Sequence, residues 1–349
     1  MRASLPGPPI IIIGAGGIVR DAHLPAYSKA GFTVEGIYDL SRENAEALAN
    51  TYGLRCFSSL EEAAAAATET TIFDIAVPAN ATADVLQLLP SGHPVLIQKP
   101  MGEDLGQARV IRDICRWKNL TGAVNFQLRF SPPVSLARDM ISRGDIGDVI
   151  DMEVRMTVFT PWHMWPFLEQ RPRVEILYHS VHYLDLIRSF LGDPESVYAR
   201  CTRHTLTPRL SSTRSTIIMN YGDLIRANIE VNHGHAFGPK HQESFVKWEG
   251  TKGAIKLRIG LMLNYPNGQE DQFEYVILED GKAPEWISVQ VEGSWFPDAF
   301  MHRMANLMSY LDGSTPTLPA SVEDAYRTMA VVEAAYESND GGGTKVKYD

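Results

Sequence analysis

A run of four isoleucines that passes directly into a glycine-rich segment is the feature that most restricts the fold of this chain. Ile10–Ile13 is short and wholly apolar, which indicates a buried strand. Gly14, Gly16 and Gly17 follow it, and a helix-like segment comes next. A strand, a tight glycine turn and a helix start let backbone N–H groups hold a phosphate. We expect Gly14 to make the turn and Gly16 to let phosphates approach the backbone.

Strand-like and helix-like segments alternate from these isoleucines to about residue 124. The predicted strands begin near Ile10, Thr33, Leu54, Ile72, Pro94 and Thr121. Strands that alternate with helices of this length predict βαβ units and a parallel sheet. The expected fold of residues 1–124 is therefore an α/β Rossmann domain.

An aspartate at the end of the second predicted strand adds to the glycine motif. Asp39 lies near the spacing expected of the acid that binds a dinucleotide's ribose. Its charge favours unphosphorylated NAD, although Arg42 could accept a 2′-phosphate, so NADP stays open. The third position of the glycine fingerprint is Val19, and a plain strand-to-helix turn is the alternative. Taken together, these features predict dinucleotide binding.

A lysine stands at the tip of another apolar strand, in the segment "PVLIQKP" from Pro94 to Pro100. Ligands bind outside the carboxyl ends of strands in an open α/β sheet. Lys99 is therefore either a solvated strand end or a positioned chemical group. Pro100 restricts the backbone of Lys99 to extended geometry, which would aim the side chain.

The pattern changes after about Asn125, where long segments rich in β-branched and aromatic residues follow one another with few helices. They predict an α+β domain over residues 125–349, built around a large, mainly antiparallel open sheet. A main helix is expected from Glu175 to Leu191, and two more near the end. The last helix could pack back toward the first domain.

Composition excludes several classes of protein. The 349 residues favour two domains, and the 44% hydrophobic and 21% charged fractions are those of a globular protein. The net charge of −10 argues against a nucleic-acid or anionic-membrane partner. No apolar run is long enough for a membrane span, the start lacks a basic signal-peptide region, and the three cysteines form no pattern. We therefore expect a cytoplasmic protein.

Several motifs occur in the order found in a known superfamily. The chain contains "GAGGIVRDAHLPAY", "YDLSRENAEALA", "VPANATADVL", "QKPMGEDLGQA" and "HSVHYLDLIRSFLG". In this it resembles the glucose–fructose oxidoreductase, inositol dehydrogenase and rhizopine-catabolism superfamily over nearly its whole length. The resemblance implies an NAD(P)-dependent oxidoreductase that transfers hydride to or from a sugar or polyol. The superfamily's Glu-Lys-Pro hallmark departs here, because Gln98 replaces the glutamate.

Site residues follow from the same resemblance. The implied cofactor contacts are Gly14, Gly16, Gly17, Ile18, Asp39, Arg42, Pro78, Asn80, Gln98 and Lys99. The superfamily's Asp-x-x-x-His-x-x-Asp element aligns with Tyr178, His182 and Asp185, so its first aspartate has become a tyrosine. Lys99 and His182 are expected at the reacting oxygen, with Tyr178 tuning them. Histidine has a suitable pKa for this proton transfer, although an ordinary helix histidine is the alternative.

Five residues are candidates for substrate binding: Arg129, Trp162, His163, His179 and Asp185. Arg129 could equally form a structural ion pair, and the tryptophan loop could equally be a lid or an interface anchor. Glu175, His179 and His182 have a helical spacing that can hold zinc. Such spacing often arises by chance and the relatives need no metal, so none is expected.

Two other functions stay open at this point. Some members of the superfamily use bound NAD for redox-neutral cleavage of glycosides, and others are non-catalytic NAD-sensing regulators. Segments such as "STIIMNY" and "FEYVILE" have more apolar surface than one layer of helices can cover. Relatives pair through this sheet, so a homodimer or homotetramer is expected.

Overall fold

The computed structural model describes residues 7–347, and its internal contacts divide the chain into two compact units. The first unit takes the chain up to Ser131 together with Trp295–Met329. The second unit takes Pro132–Ser294 and the chain from Ala330 onward. Residues 1–6, which are part of the segment in which we expect no signal peptide, lie outside the described part of the chain.

The first unit is built on a six-stranded parallel sheet with the strand order β3-β2-β1-β4-β5-β6. Its strands are β1 Ile10–Ile13, β2 Val34–Tyr38, β3 Arg55–Cys56, β4 Ile72–Ile75, β5 Pro94–Ile97 and β6 Thr121–Val124. Every pair of neighbours is parallel. β1 is buried along its whole length, because helices cover both faces of such a sheet. The predicted Rossmann domain is confirmed.

The helices of this unit begin and end where side-chain chemistry satisfies the backbone. They are α1 Leu24–Ala30, α2 Arg42–Tyr52, α3 Leu60–Ala65, α4 Thr82–Leu88 and α5 Leu105–Trp117. Ser41, Ser59 and Asp104 each accept a hydrogen bond from a backbone N–H in the first turn of the following helix. Gly31 and Gly53 end α1 and α2 with φ values of 68° and 67°, which glycine adopts without steric cost.

A buried polar cluster fastens the first helical turns to the sheet. Asp74 on β4 is fully buried, and its Oδ2 lies 2.6 Å from Nδ1 of His23. The hydroxyl of Tyr27 donates to the same oxygen at 2.7 Å. The Nδ2 atom of Asn125 lies 3.4 Å from His23 Nε2. A buried carboxylate is tolerated only with partners of this kind.

Residues distant in sequence complete the first unit. The helix α8, Phe300–Leu311, contributes Met304 and Leu307 to the core around β1. The fully buried Arg303 donates to the carbonyl groups of Val124 and Ala320. For these reasons the compact units divide the chain after Ser131, Ser294 and Met329, whereas the sequence pattern placed a single boundary after residue 124.

The second unit is built on an eight-stranded sheet in the order β14-β13-β12-β11-β7-β10-β9-β8. Its strands are β7 Val149–Thr157, β8 Ser196–Thr202, β9 Arg214–Asn220, β10 Arg226–Asn232, β11 Glu243–Gly250, β12 Gly253–Arg258, β13 Gln272–Ile277 and β14 Ile287–Val289. Only β7 and β10 pair in parallel within this sheet, so the predicted mainly antiparallel arrangement is confirmed. The strand β14 and the helix α6, Pro132–Ser142, were not anticipated.

The two faces of this sheet differ in chemistry. Alternate residues such as Val154, Ile229 and Trp248 are buried on one face, beneath helices that include α7, Val181–Leu191. The other face carries ion pairs that link Arg155 to Glu230 and continue along neighbouring strands. The exposed face is therefore partly charged, and the expected homo-oligomer stays a prediction.

The last helix, α9, runs from Val322 to Gly341. Its residues up to Met329 belong to the first unit, and those from Ala330 belong to the second. Tyr336 in the second part accepts a hydrogen bond from the backbone of Leu177. Across residues 7–347, none of the helices combines the length and the apolar character needed to cross a membrane.

The Asp74 cluster predicts a graded loss of stability. Asp74→Ala leaves the polar groups of His23 and Tyr27 without their buried acceptor, and we expect the free energy of unfolding to fall by about 2–5 kcal/mol. Tyr27→Phe removes one hydrogen bond to a carboxylate and should cost about 1.5–3 kcal/mol. Urea unfolding measures both values. Asp84→Ala, on the exposed first turn of α4, is the matched control, and equal losses for Asp84 and Asp74 would contradict this account.

Candidate active site

At the carboxyl edge of the parallel sheet, backbone hydrogen bonds link the ends of neighbouring strands. The residue after each strand donates its N–H to the last residues of the neighbouring strand. The pairs are Gly14 to Tyr38, Ala76 to Ile13, Gln98 to Ile75 and Asn125 to Ile97, at 2.7, 2.8, 2.8 and 2.7 Å. The glycine turn, the loop with Pro78 and Asn80, and the Gln98–Lys99 segment therefore leave the sheet at the same edge.

Gly14 makes the expected turn because no other residue fits there. Its φ is +115°, and an added Cβ would lie 2.4 Å from the carbonyl oxygen of Ala76. Gly16 meets nothing within 4 Å of such a Cβ, so the backbone of the loop is open to a ligand on this side. Gly17 and Ile18 lead from it into the π-helical turn Val19–His23. An open cradle of this kind suits the pyrophosphate of a dinucleotide.

Asp39 is joined to the glycine turn. Its Oδ2 accepts from the backbone N–H of Ala15 at 2.6 Å, and its Oδ1 accepts from that of Ser41 at 2.7 Å. Each carboxylate oxygen retains a further lone pair for a ribose hydroxyl. Arg42 is exposed and pairs with Glu46 at 2.6 Å. The arginine that could serve a 2′-phosphate thus has an acidic neighbour, while Asp39 bonds the glycine turn.

Lys99 follows β5 at the same edge and is partly buried. Burial lowers the pKa of its ammonium group from the ordinary value of 10.5 to about 8. The peptide bond to Pro100 is cis. Within the described residues, the buried Oε1 of Gln98 accepts no hydrogen bond. An amide oxygen and an amine that titrates near neutral pH are suited to a polar ligand at this strand tip.

The predicted helix of the second unit does not begin as an α-helix. Glu175–Ser180 form a π-helical turn, and α7 continues from Val181 to Leu191. Tyr178 lies in the π-helical turn and is partly exposed, whereas His182 and Asp185 in α7 are 5% and 1% exposed. π-Helical turns in helices occur often at functional sites.

Aromatic side chains surround Tyr178. Its ring lies 5.9 Å from that of Phe167, edge to face. Trp162 and Trp165 pack with Tyr178 on a small apolar cluster, and Trp165 lies 5.8 Å from Tyr265. His163 on the same loop is exposed. The tryptophan loop and Tyr178 thus form one packed group of aromatic side chains.

Arg129 forms a structural contact. Its Nη1 lies 2.8 Å from Asp324 Oδ2, at the start of α9, and the guanidinium side chain is 8% exposed. The ion pair weighed from the sequence is therefore present, and a substrate contact by Arg129 stays a prediction.

A second buried acid, Glu175, lies in the π-helical turn that precedes α7. Glu175 is fully buried with His179 and His233 close to its carboxylate. Burial by itself raises the pKa of Glu175, but the two nearby histidines hold that pKa well below its usual range. His233 was missed from the sequence. Its position directly after the strand β10 was the one available signal.

Comparison with known proteins identifies relatives along the whole chain. Residues 9–126 match the profile described as "Oxidoreductase family, NAD-binding Rossmann fold", and residues 138–348 match "Oxidoreductase family, C-terminal alpha/beta domain". D-apiose dehydrogenase of Rhizobium rhizogenes is 25% identical over 256 residues, which cover 72% of this chain and 71% of that enzyme.

Two solved structures share the fold. An oxidoreductase from Agrobacterium radiobacter, in complex with NAD+, L-tartaric acid and magnesium, is 20% identical, with a TM-score of 0.79 over 97% of each chain. The super-repressor mutant of Gal80p from Saccharomyces cerevisiae is 15% identical, with a TM-score of 0.80 over 97% of each chain. These similarities concern the fold alone.

The lowered pKa of Lys99 can be measured directly. Only a neutral amine reacts with acetic anhydride, so the labelling of Lys99 should rise through a midpoint near pH 8. Mass spectrometry of the Lys99 peptide gives this profile, with the exposed Lys252 as an internal reference. Identical profiles for Lys99 and Lys252 would rule out the effect of burial.

Proposed function

This chain belongs to the oxidoreductase family that joins an NAD-binding Rossmann fold to a C-terminal alpha/beta domain, the glucose–fructose oxidoreductase and inositol dehydrogenase group, and from that premise we propose a sugar or polyol dehydrogenase. The proposed reaction moves hydride between nicotinamide and a hydroxyl or carbonyl carbon of the substrate. The relative D-apiose dehydrogenase is, by its name, a dehydrogenase of this class.

The observation that carries the proposal is the location of Lys99 on the same sheet edge as the glycine turn. β5 is separated from β1 by β4 alone, which corresponds to about 10 Å at the usual strand spacing. A dinucleotide held at Gly14–Gly16 can extend along this edge toward Lys99. A solvated lysine at a strand end would keep its ordinary pKa, whereas burial lowers the pKa of Lys99.

The proposed roles follow from the needs of the reaction. As a carbinol is oxidised, its hydroxyl proton leaves while the C–H bond breaks. His182 takes this proton as general base, and the Lys99 ammonium stabilises the alkoxide character that develops on the oxygen. When bound, the nicotinamide ring supplies the hydride acceptor. Tyr178 and the tryptophan loop orient the substrate, and Asp185 and His179 complete the substrate-binding set.

A substrate panel tests the proposal. Sugars and polyols incubated with NAD or NADP should yield reduced cofactor, with a higher kcat/KM for NAD. Asp39→Asn should narrow that preference about tenfold, because the neutral amide no longer repels a 2′-phosphate. Glu43→Gln, which removes an exposed charge nearby on α2, should leave the preference unchanged.

Other outcomes of the same panel contradict the proposal. Release of sugar from a glycoside without added cofactor would identify a redox-neutral glycosidase. NAD binding without turnover of any member of the panel would favour a regulator. A clear preference for NADP would overturn the role given to Asp39.

Kinetics of three variants test the assigned roles. Lys99→Met and His182→Ala should lower kcat by about two to four orders of magnitude, the usual effect of losing a stabilising charge or a general base. NAD binding, followed by fluorescence titration, should stay close to the wild-type value. Tyr178→Phe should change mainly KM or the pH optimum, and Lys252→Met on an exposed turn is the control. Near-normal turnover by His182→Ala together with an inactive Tyr178→Phe would assign the base to the tyrosine.

A further inference from the structure

A cluster of two histidines and a glutamate in the second unit has the geometry of a metal site. The nearest ligand atoms of Glu175, His179 and His233 all lie within 4.8 Å of one another. Glu175 Oε1 is 3.7 Å from His179 Nδ1 and 3.7 Å from His233 Nε2. We propose that these three side chains bind one divalent transition-metal ion, with zinc the ion that suits them best.

The ligand set and its spacing fit zinc. Two imidazole nitrogens and one carboxylate oxygen form a ligand set that zinc commonly takes. Bonds of about 2.0–2.2 Å at tetrahedral angles place ligand atoms about 3.3–3.5 Å apart. The two observed distances of 3.7 Å need only a small contraction to reach this value. They are too long for good hydrogen bonds between the same atoms.

Neighbouring side chains hold two of the ligands in the orientation that a metal requires. Thr160 Oγ1 lies 2.7 Å from His233 Nδ1, which leaves Nε2 directed at the cluster. Ser180 donates to Glu175 Oε1 at 2.6 Å. Metal-binding histidines and carboxylates usually have outer partners of this kind, which fix the histidine tautomer and the ligand orientation.

The incompletely satisfied buried carboxylate of Glu175 makes a cation at this position favourable. The side chains of Glu175 and His233 are fully removed from solvent. Within residues 7–347, neither Glu175 Oε2 nor His233 Nε2 has a hydrogen-bond partner. Leaving a buried carboxylate incompletely satisfied costs several kcal/mol, which a bound divalent ion would offset.

The third ligand lies nearest to solvent. The side chain of His179 is 15% exposed, although both of its ring nitrogens are buried, and a water molecule can take the fourth position. The sequence favoured no metal after weighing Glu175, His179 and His182. The tertiary structure replaces His182, in the helix α7, with His233, which directly follows the strand β10, and so leaves His182 available for the proposed proton transfer.

Metal analysis of the full-length protein tests this site without any assay of turnover. Protein stripped with a chelator and dialysed against micromolar zinc should retain about one zinc per chain. Glu175→Gln and His233→Asn should abolish this binding. Thr160→Val, which removes only the outer partner, should weaken it about 10–100-fold. His235→Asn, two residues from His233 and bonded to a backbone carbonyl, is the control and should bind zinc normally.

Spectroscopy of the wild-type protein keeps the test valid if a variant fails to fold. X-ray absorption at the zinc edge should show two imidazole ligands and oxygen ligands at about 2.0–2.2 Å. Cobalt(II) in place of zinc should give the visible absorption of a tetrahedral complex. Absence of bound zinc in the wild type, or equal loss in His235→Asn and His233→Asn, would overturn the proposal and indicate a metal-free ion triad. Neither result bears on hydride transfer.

Discussion

The close approach of Gly14 to the backbone of Ala76 is the constraint on which the nucleotide-binding edge depends. An added Cβ would lie only 2.4 Å from the carbonyl oxygen of Ala76, so a side chain would push β1 and β4 apart. That separation would break the hydrogen bond from Ala76 to Ile13. The next bond along the edge runs from the Gln98 N–H to the Ile75 carbonyl, and it positions the backbone from which Lys99 leaves the sheet. A single glycine therefore affects both the phosphate cradle and the candidate catalytic lysine.

Each unit places a buried acid beside histidine, but the two arrangements differ in the distances between the acid and the histidine nitrogens. Asp74 receives close contacts of 2.6 and 2.7 Å on Oδ2 from His23 and Tyr27. Glu175 has one short bond from Ser180, while His179 and His233 remain 3.7 Å away. In the first cluster, the contacts of Asp74 Oδ2 are at hydrogen-bond length. The second has the longer spacing that a metal ion between the ligands would produce, which is why we assign a ligand to it.

The exposed face of the large sheet is less apolar than the sequences of its strands suggest, because successive side chains point to opposite faces. In β9, Ile217 and Met219 are buried, whereas the intervening Ile218 is about half exposed. Neighbouring strands contribute Arg155 and Glu230 to the exposed face, where they pair at 2.9 Å. Because side chains alternate along a strand, about half of each apolar segment belongs to the core. The remainder mixes charged and apolar groups, so the segments taken singly overstate the apolar surface.

By itself, the sequence determined the two folds and the place of the glycine turn after β1. Hydrophobic period and glycine position are local properties, and they predicted the parallel sheet and the turn at Gly14. The tertiary structure alone decided which distant residues meet. Arg303 joins the first unit through the carbonyls of Val124 and Ala320, and His233 joins Glu175 across a separation of 58 residues in the chain. Such contacts depend on strand order and packing, because a side chain's neighbours in space are set by the whole sheet and not by its neighbours in sequence.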